Sequence, residues 1–226
     1  MKLYIGNKNY SSWSMRSGVL LSAFGIPFEE VKLRLDFTEG AAWRHELADV
    51  SPAGKVPVLV DDDGFSVWDS LAIAEYLAER HPEHALWPRS VKDRARARSL
   101  CAEMHSGFTQ LRSVCPMNIE ASFPEIGMKL WDEDGALRAD VAWLDAAWQD
   151  ALAASGGPFL FGQFGAADAF FAPVAVRLSR FGLPVSQAAG TYRDALLAHP
   201  AVEDWIAAAR REQTFLVDAE PYRKER

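Results

Sequence analysis

The stretch Gly54-Lys55-Val56-Pro57-Val58-Leu59-Val60-Asp61-Asp62-Asp63-Gly64-Phe65-Ser66-Val67-Trp68-Asp69-Ser70 decides the fold. Val56 to Val60 reads as a short apolar strand, Asp61 to Gly64 as a turn and Phe65 to Val67 as a second strand, which together make an antiparallel hairpin. Asp69-Ser70 then opens a helix running to Arg80, with Leu71, Ala74, Glu75 and Leu77 at helical spacing. Working back toward the start, Lys2 to Gly6 and Glu30 to Leu35 read as strands. Between them Trp13 to Phe24 carries a helical pattern, closed by Gly25 with Pro27 beyond. A strand-helix-strand unit of this length fits a right-handed parallel pair. A polar helix is expected around Glu39 to Ala48.

Working forward, His81 to Arg89 holds Pro82 and Pro88 and suits a connection, after which strand signals fade. Val91 to Val114, Leu130 to Ala154, Ala166 to Phe181 and Ala201 to Arg211 read as four helices, with Gly156-Gly157-Pro158 and His199-Pro200 marking breaks. The expected architecture is an α/β domain over residues 1–80, a linker over 81–90 and an all-α domain over 91–226.

Composition agrees with a globular chain: 226 residues, 49% hydrophobic, with eight Trp. The net charge of −7 works against binding nucleic acid or anionic lipid through the bulk field. An anionic small molecule stays possible if local donors hold it. No apolar run approaches the roughly 18 residues of a membrane span, and the first residues lack a signal-peptide pattern, so a cytoplasmic protein without a membrane partner is expected. Cys101 and Cys115, read as lying on one helix, would stand about 21 Å apart, too far for a bridge. No set of ligands at metal spacing accompanies them, so no metal is expected.

Three places carry chemistry. Tyr10-Ser11-Ser12 leads into the first helix, where a serine is either a plain N-cap or part of an anion site at a helix N-terminus. Val56-Pro57 is either an edge-strand proline or a cis peptide that turns the Val56 backbone toward a peptide-like ligand. Asp69-Ser70 is either a helix cap or a pair suited to an α-amino acid group, the carboxylate meeting the ammonium and the hydroxyl meeting the carboxylate.

Their order within 70 residues resembles the soluble glutathione transferase superfamily, most of all its bacterial zeta-like members. The residues that carry this are Tyr10-Ser11-Ser12-Trp13-Ser14-Met15-Arg16, Gly54-Lys55-Val56-Pro57-Val58-Leu59, Trp68-Asp69-Ser70-Leu71-Ala72-Ile73 and Phe161-Gly162-Gln163-Phe164-Gly165-Ala166-Ala167-Asp168. The resemblance implies a thioredoxin-like first domain, a helical second domain, a homodimer, and glutathione as cosubstrate for a small electrophile. It makes Ser11 the thiolate partner, with Ser12 competing because the loop alignment can slip by one. It puts Val56, before cis-Pro57, on the glutathione backbone, Asp69 and Ser70 on the γ-glutamyl end, and Lys55 on the glycine carboxylate. It also puts His105 at the cleft, against the alternative that a single histidine on a helix is structural. Arg16 and Arg112 either meet a dicarboxylate or make ordinary ion pairs.

Two departures bear on the subgroup. Zeta-like members carry Ser-Ser-Cys where this chain has Trp13 in the third position, a bulky group that narrows the electrophile site. Gly165 replaces the Ser or Thr expected at its helix cap, leaving only Asp168's half of the capping box. The cysteine-free first loop excludes thiol-disulfide exchange at that position. The expected reaction is glutathione transfer to an electrophile, with isomerisation of a maleylacetoacetate- or maleylpyruvate-type substrate as a narrower form. A non-catalytic glutathione- or ligand-binding protein is the alternative.

Overall fold

A computed structural model describes residues 1–34 and 42–226 of the chain. Four strands, β1 (Lys2–Ile5), β2 (Glu29–Lys32), β3 (Val58–Val60) and β4 (Ser66–Trp68), form one sheet in the order β2-β1-β3-β4. β1 and β2 are parallel, and β3 runs antiparallel to both β1 and β4. Helices α1 (Ser12–Ala23), α2 (Ala42–Ala48) and α3 (Ser70–Arg80) complete this half. The ends of the strand expected to reach Leu35 and of the helix expected from Glu39 lie outside the described residues.

The alternation along the strands sorts the helices onto two faces. Leu3, Ile5 and Leu59 join the main core with Met15 and Val19 of α1 and Ile73 and Leu77 of α3. Tyr4 and Val58 point the other way, into a small cluster with Trp43 and Leu47 of α2. The strand-helix-strand unit and the hairpin-helix unit thus share one sheet whose loops at one end carry the candidate residues.

The second half is helical among the described residues: α4 (Val91–Ser106), α5 (Thr109–Val114), α6 (Pro124–Glu133), α7 (Gly135–Ser155), α8 (Ala166–Phe181), α9 (Gln187–Leu197) and α10 (Pro200–Glu212). Three of these depart from the sequence expectation. The helix expected from Val91 to Val114 breaks at Gly107 and Phe108, the latter at φ 51°. The new helix is then capped from a distance, because Asp140 Oδ2 of α7 accepts the N–H groups of Gln110 at 3.0 Å and Leu111 at 2.9 Å. Cys101 and Cys115 therefore do not share a helix, and both are buried free thiols. The helix expected from Leu130 to Ala154 divides at Asp134, whose carboxylate accepts from Ala136 and Leu137 and so starts α7. α9 carries no expectation at all; Ser186 caps it while bonding Asp145 of α7 at 2.7 Å.

The two halves meet along α1. Gly18 lets α10 approach so closely that a Cβ there would stand 2.2 Å from the Trp205 ring. Asp168, fully buried at the start of α8, accepts from the N–H groups of Gly165 and Leu160 and from the Tyr192 hydroxyl. Burial lifts its carboxyl to about 6 against the pull of those bonds. No helix among the described residues is long and apolar enough to cross a membrane.

Candidate functional site

A cavity of about 560 Å³ opens where three segments converge: the N-terminus of α1, the turn before β3 and the N-terminus of α3. Ser11, Lys55, Val56, Pro57, Asp69 and Ser70 all line it. Trp13, Trp43, Trp68 and His105 form its apolar and aromatic walls.

Ser11 is the N-cap of α1. Its Oγ accepts the Ser14 N–H at 3.3 Å and pairs with the Ser14 hydroxyl at 2.8 Å. Ser14, fully buried, accepts from the Gly6 N–H at 3.1 Å. The Ser11 hydroxyl donates to Ser14 here; turning both hydroxyls so that Ser14 donates instead frees the Ser11 O–H for the cavity. Ser12 sits on the opposite side of the same turn: it is buried, and its Oγ accepts from Arg177 Nη2 of α8 at 3.4 Å. The structure thus brings Ser11 and not Ser12 to the cavity wall.

The loop ahead of Ser11 is held by polar groups of the helical half. Asn9 Oδ1 accepts the N–H groups of Ile119 and Glu120, both at 2.8 Å. The Tyr10 hydroxyl donates to Glu220 at 2.7 Å, and Asn118 donates to the same oxygen at 2.8 Å. Burial and that carboxylate together lift the Tyr10 phenol to about 12. Glu220 lies 210 residues from Tyr10, so no sequence pattern marks the pair.

The Val56–Pro57 peptide is cis. Ser51, buried beneath this turn, donates to the Lys55 carbonyl at 3.4 Å. Lys55 itself is exposed and makes no ion pair among the described residues.

Asp69 caps α3 at φ 75°, its Oδ1 accepting the Leu71 N–H at 2.8 Å. Its Oδ2 faces His105 Nε2 of α4 at 3.2 Å. Ser70 Oγ is buried with no hydrogen-bond partner. A buried hydroxyl left bare in the protein has a donor and an acceptor to offer a ligand.

His105 stands edge-on to Trp13, ring centres 4.9 Å apart. Trp13 is also flanked by the guanidinium groups of Arg16 at 4.2 Å and Arg112 at 5.0 Å. Arg112 does not line the cavity; it reaches Trp13 from behind while donating to the carbonyls of His105 and Gly107. The ordinary ion pairs weighed for Arg16 and Arg112 are absent among the described residues. Nothing in the sequence marked Arg177 or Trp43; Ser14, a cap candidate by sequence, instead sits within α1 as the partner of the actual cap, Ser11.

The cavity thus brings together a hydroxyl at a helix N-terminus, the Val56 backbone beside a cis-proline, an exposed lysine, and a carboxylate next to a bare hydroxyl. Among the described residues no group of His, Cys, Asp and Glu is arranged to hold a metal ion.

The chain is similar to known proteins over these segments and beyond. Residues 10–80 match the family model for the glutathione S-transferase N-terminal domain. A maleylacetoacetate isomerase of Pseudomonas aeruginosa is 28% identical over 209 residues, 89% of this chain and 93% of the relative. A probable maleylacetoacetate isomerase of Caenorhabditis elegans is 34% identical over 112 residues, so the match spans 50% of that relative's length. Among solved structures, a glutathione transferase homologue from Burkholderia with bound glutathione aligns at a TM-score of 0.69 and 27% identity, covering 94% of this chain and 98% of the other. A maleylacetoacetate isomerase from Methylobacterium extorquens AM1, with bound malonate and GSH, aligns at 0.64 and 26% identity, covering 95% and 98%.

Proposed function

Starting from a chain that belongs to the soluble glutathione transferase superfamily, we propose that the cavity at Ser11 binds glutathione and activates its thiol for attack on a small electrophile. The observation that carries this reading is the convergence of Ser11, Val56 and Ser70, from three separate segments, on one cavity. In this reading the Ser11 hydroxyl turns from Ser14, accepts a hydrogen bond from the Ser14 hydroxyl in its place, and donates to the thiolate at the positive end of α1. The Val56 backbone pairs with the cysteinyl peptide, and Lys55 meets the glycine carboxylate. Asp69 takes the ammonium of the γ-glutamyl group, while Ser70 satisfies its bare hydroxyl on the neighbouring carboxylate. Residues 1–80 then serve glutathione, 91–226 the electrophile, and 81–90 join them.

The second substrate meets Trp13 and His105, with Arg112 behind Trp13 and out of its reach. Thiolate addition that stays in place gives a conjugate. Addition to a conjugated cis double bond, rotation and departure give an isomer and return glutathione. The isomerase names of the relatives favour the second course, and Trp13 in place of a cysteine favours the broader class. The test supplies glutathione with an aryl halide and, separately, with a cis-maleyl substrate, following conjugate and isomer. Turnover of either bears the reading out. Tight glutathione binding with no turnover across a wide electrophile panel shifts the weight to a binding protein on the same fold.

We also propose a cytoplasmic homodimer. Its support is the exposure of three large apolar groups, Phe65 at 57%, Trp68 at 43% and Trp143 at 45%. A groove of about 770 Å³ between α4 and α7, walled by Leu100, Trp143 and Ala147, offers them a seat on a second copy. Light scattering at micromolar concentration is expected to read twice the chain mass of 25.1 kDa; a single-chain mass sinks the dimer.

A further inference from the structure

Three arginines lie beneath the candidate thiolate site, and none has a carboxylate within ion-pair distance among the described residues. Arg16, on the second turn of α1, is 1% exposed. Its Nη2 donates to the Met104 carbonyl at 3.4 Å, and its Nε and Nη1 have no partner. The rest of its surroundings are the faces of Trp13 and Phe170. Arg177 of α8 is 5% exposed and donates to the Cys115 carbonyl at 2.9 Å, to the Pro173 carbonyl at 3.5 Å and to Ser12 Oγ at 3.4 Å. Arg112 of α5 donates only to carbonyls. Every partner is neutral.

Burying one cation without a counter-charge is costly, and burying Arg16 and Arg177 together, beside a half-buried Arg112, is more so. The cost shows in the groups themselves. Burial, then the charges of Arg177 and Arg112, pull Arg16 down to about 9; burial, then Arg112, pull Arg177 down to about 10. All three stay protonated at neutral pH. The other ionisable groups near them offset this charge only in part. Asp69, the N-cap of α3, acts on Arg16 in the opposite sense from beyond ion-pair distance and turns one oxygen to His105. The thiols of Cys101 and Cys115 are pushed well up and to about 12, chiefly by burial, and are neutral. Asp168 of α8 is engaged by Tyr192 and two backbone N–H groups.

The cluster is placed to act on Ser11. Arg177 touches Ser12, the next residue, and Arg16 lies one turn further along α1. The positive end of α1 and the guanidiniums thus carry charge of the same sign beside the Ser11–Ser12 turn. In a chain of net charge −7, an anion held here needs local compensation. Resting on the glutathione reading above, we infer that buried Arg16 and Arg177, with half-buried Arg112, form a positive floor that stabilises the glutathione thiolate at Ser11. They act through space from behind Trp13, as supporting residues that do not touch the sulfur, and the thiol proton leaves to solvent.

The test is an ultraviolet titration of the thiolate in the glutathione complex of the wild type and of Arg112→Gln, Arg112→Lys, Arg177→Gln and Arg177→Lys. At an effective dielectric of about 20, a unit charge about 10 Å away is worth roughly one pKa unit. Each Gln variant is expected to raise the thiol midpoint by about that much. Turnover should then fall about tenfold on the acidic limb of the pH profile and recover at high pH. The Lys variants keep the charge and are expected to stay near the wild-type midpoint, which a purely structural role for the guanidinium would not produce. Arg177 makes three hydrogen bonds, so where Arg177→Gln does not fold, the Arg112 pair decides. Gln variants that bind glutathione at an unchanged midpoint overturn the inference while leaving the glutathione reading intact. A wild type that binds no glutathione, or binds it at the free-thiol midpoint, overturns both.

Discussion

Replacing Ser11 with alanine is expected to lower turnover about 100- to 1000-fold, the range for losing one preorganised donor aimed at a reacting anion, with glutathione affinity nearly unchanged. The split follows from where the contacts lie. In the proposed glutathione pose Ser11 meets only the sulfur, whose charge develops with ionisation, whereas Lys55, Val56, Asp69 and Ser70 hold the rest of the tripeptide and supply ground-state binding. The acidic limb of the pH profile should move upward, because the thiol returns toward the free value of about 8.5. Loss of the N-cap also costs about 1 kcal/mol of stability, so Ser11→Thr, which keeps a hydroxyl, serves as the control. Ser12→Ala is expected to leave turnover within about threefold of wild type, since that hydroxyl faces Arg177 in the interior. A large loss from Ser12→Ala together with none from Ser11→Ala would reverse the assignment.

Asp69→Asn is expected to weaken glutathione binding about tenfold to a hundredfold, the worth of one charge-assisted contact to an ammonium group. Asparagine suits the residue's two structural duties, capping α3 and sitting at φ 75°, so the fold should persist. Turnover at saturating glutathione should also persist, the converse of the Ser11 result. Calorimetric titration with glutathione reads the affinity directly. An unchanged dissociation constant would remove Asp69 from the γ-glutamyl contact and leave it as a cap paired with His105.

The residues differ in how far the chain itself announced them. The hairpin, the helix opened by Asp69 and the strand-helix-strand unit were legible because their signals are local: alternation of apolar residues, a turn at Asp61 to Gly64, and caps adjacent to the helices they start. The break at Gly107 and Phe108 was not, because the carboxylate that caps α5 comes from Asp140, about 30 positions away. α9 escaped for a similar reason, since its capping serine is itself oriented by Asp145. Asp134, by contrast, carried a legible N-cap signal within a run of helical pattern, and the length of that run concealed it.

The sequence by itself determined the order of strands and helices in the first half, the succession of serine, proline and Asp-Ser segments, and the absence of a cysteine from the first loop, since each depends on neighbours in the chain. Only the tertiary structure decided which serine faces the cavity, because Ser11 and Ser12 are chemically the same and it is Arg177, arriving on α8, that draws Ser12 inward. It likewise decided that Arg16, Arg112 and Arg177 share one place without a counter-charge. That is a matter of solvation and distance among three helices, and no spacing along a single chain expresses it.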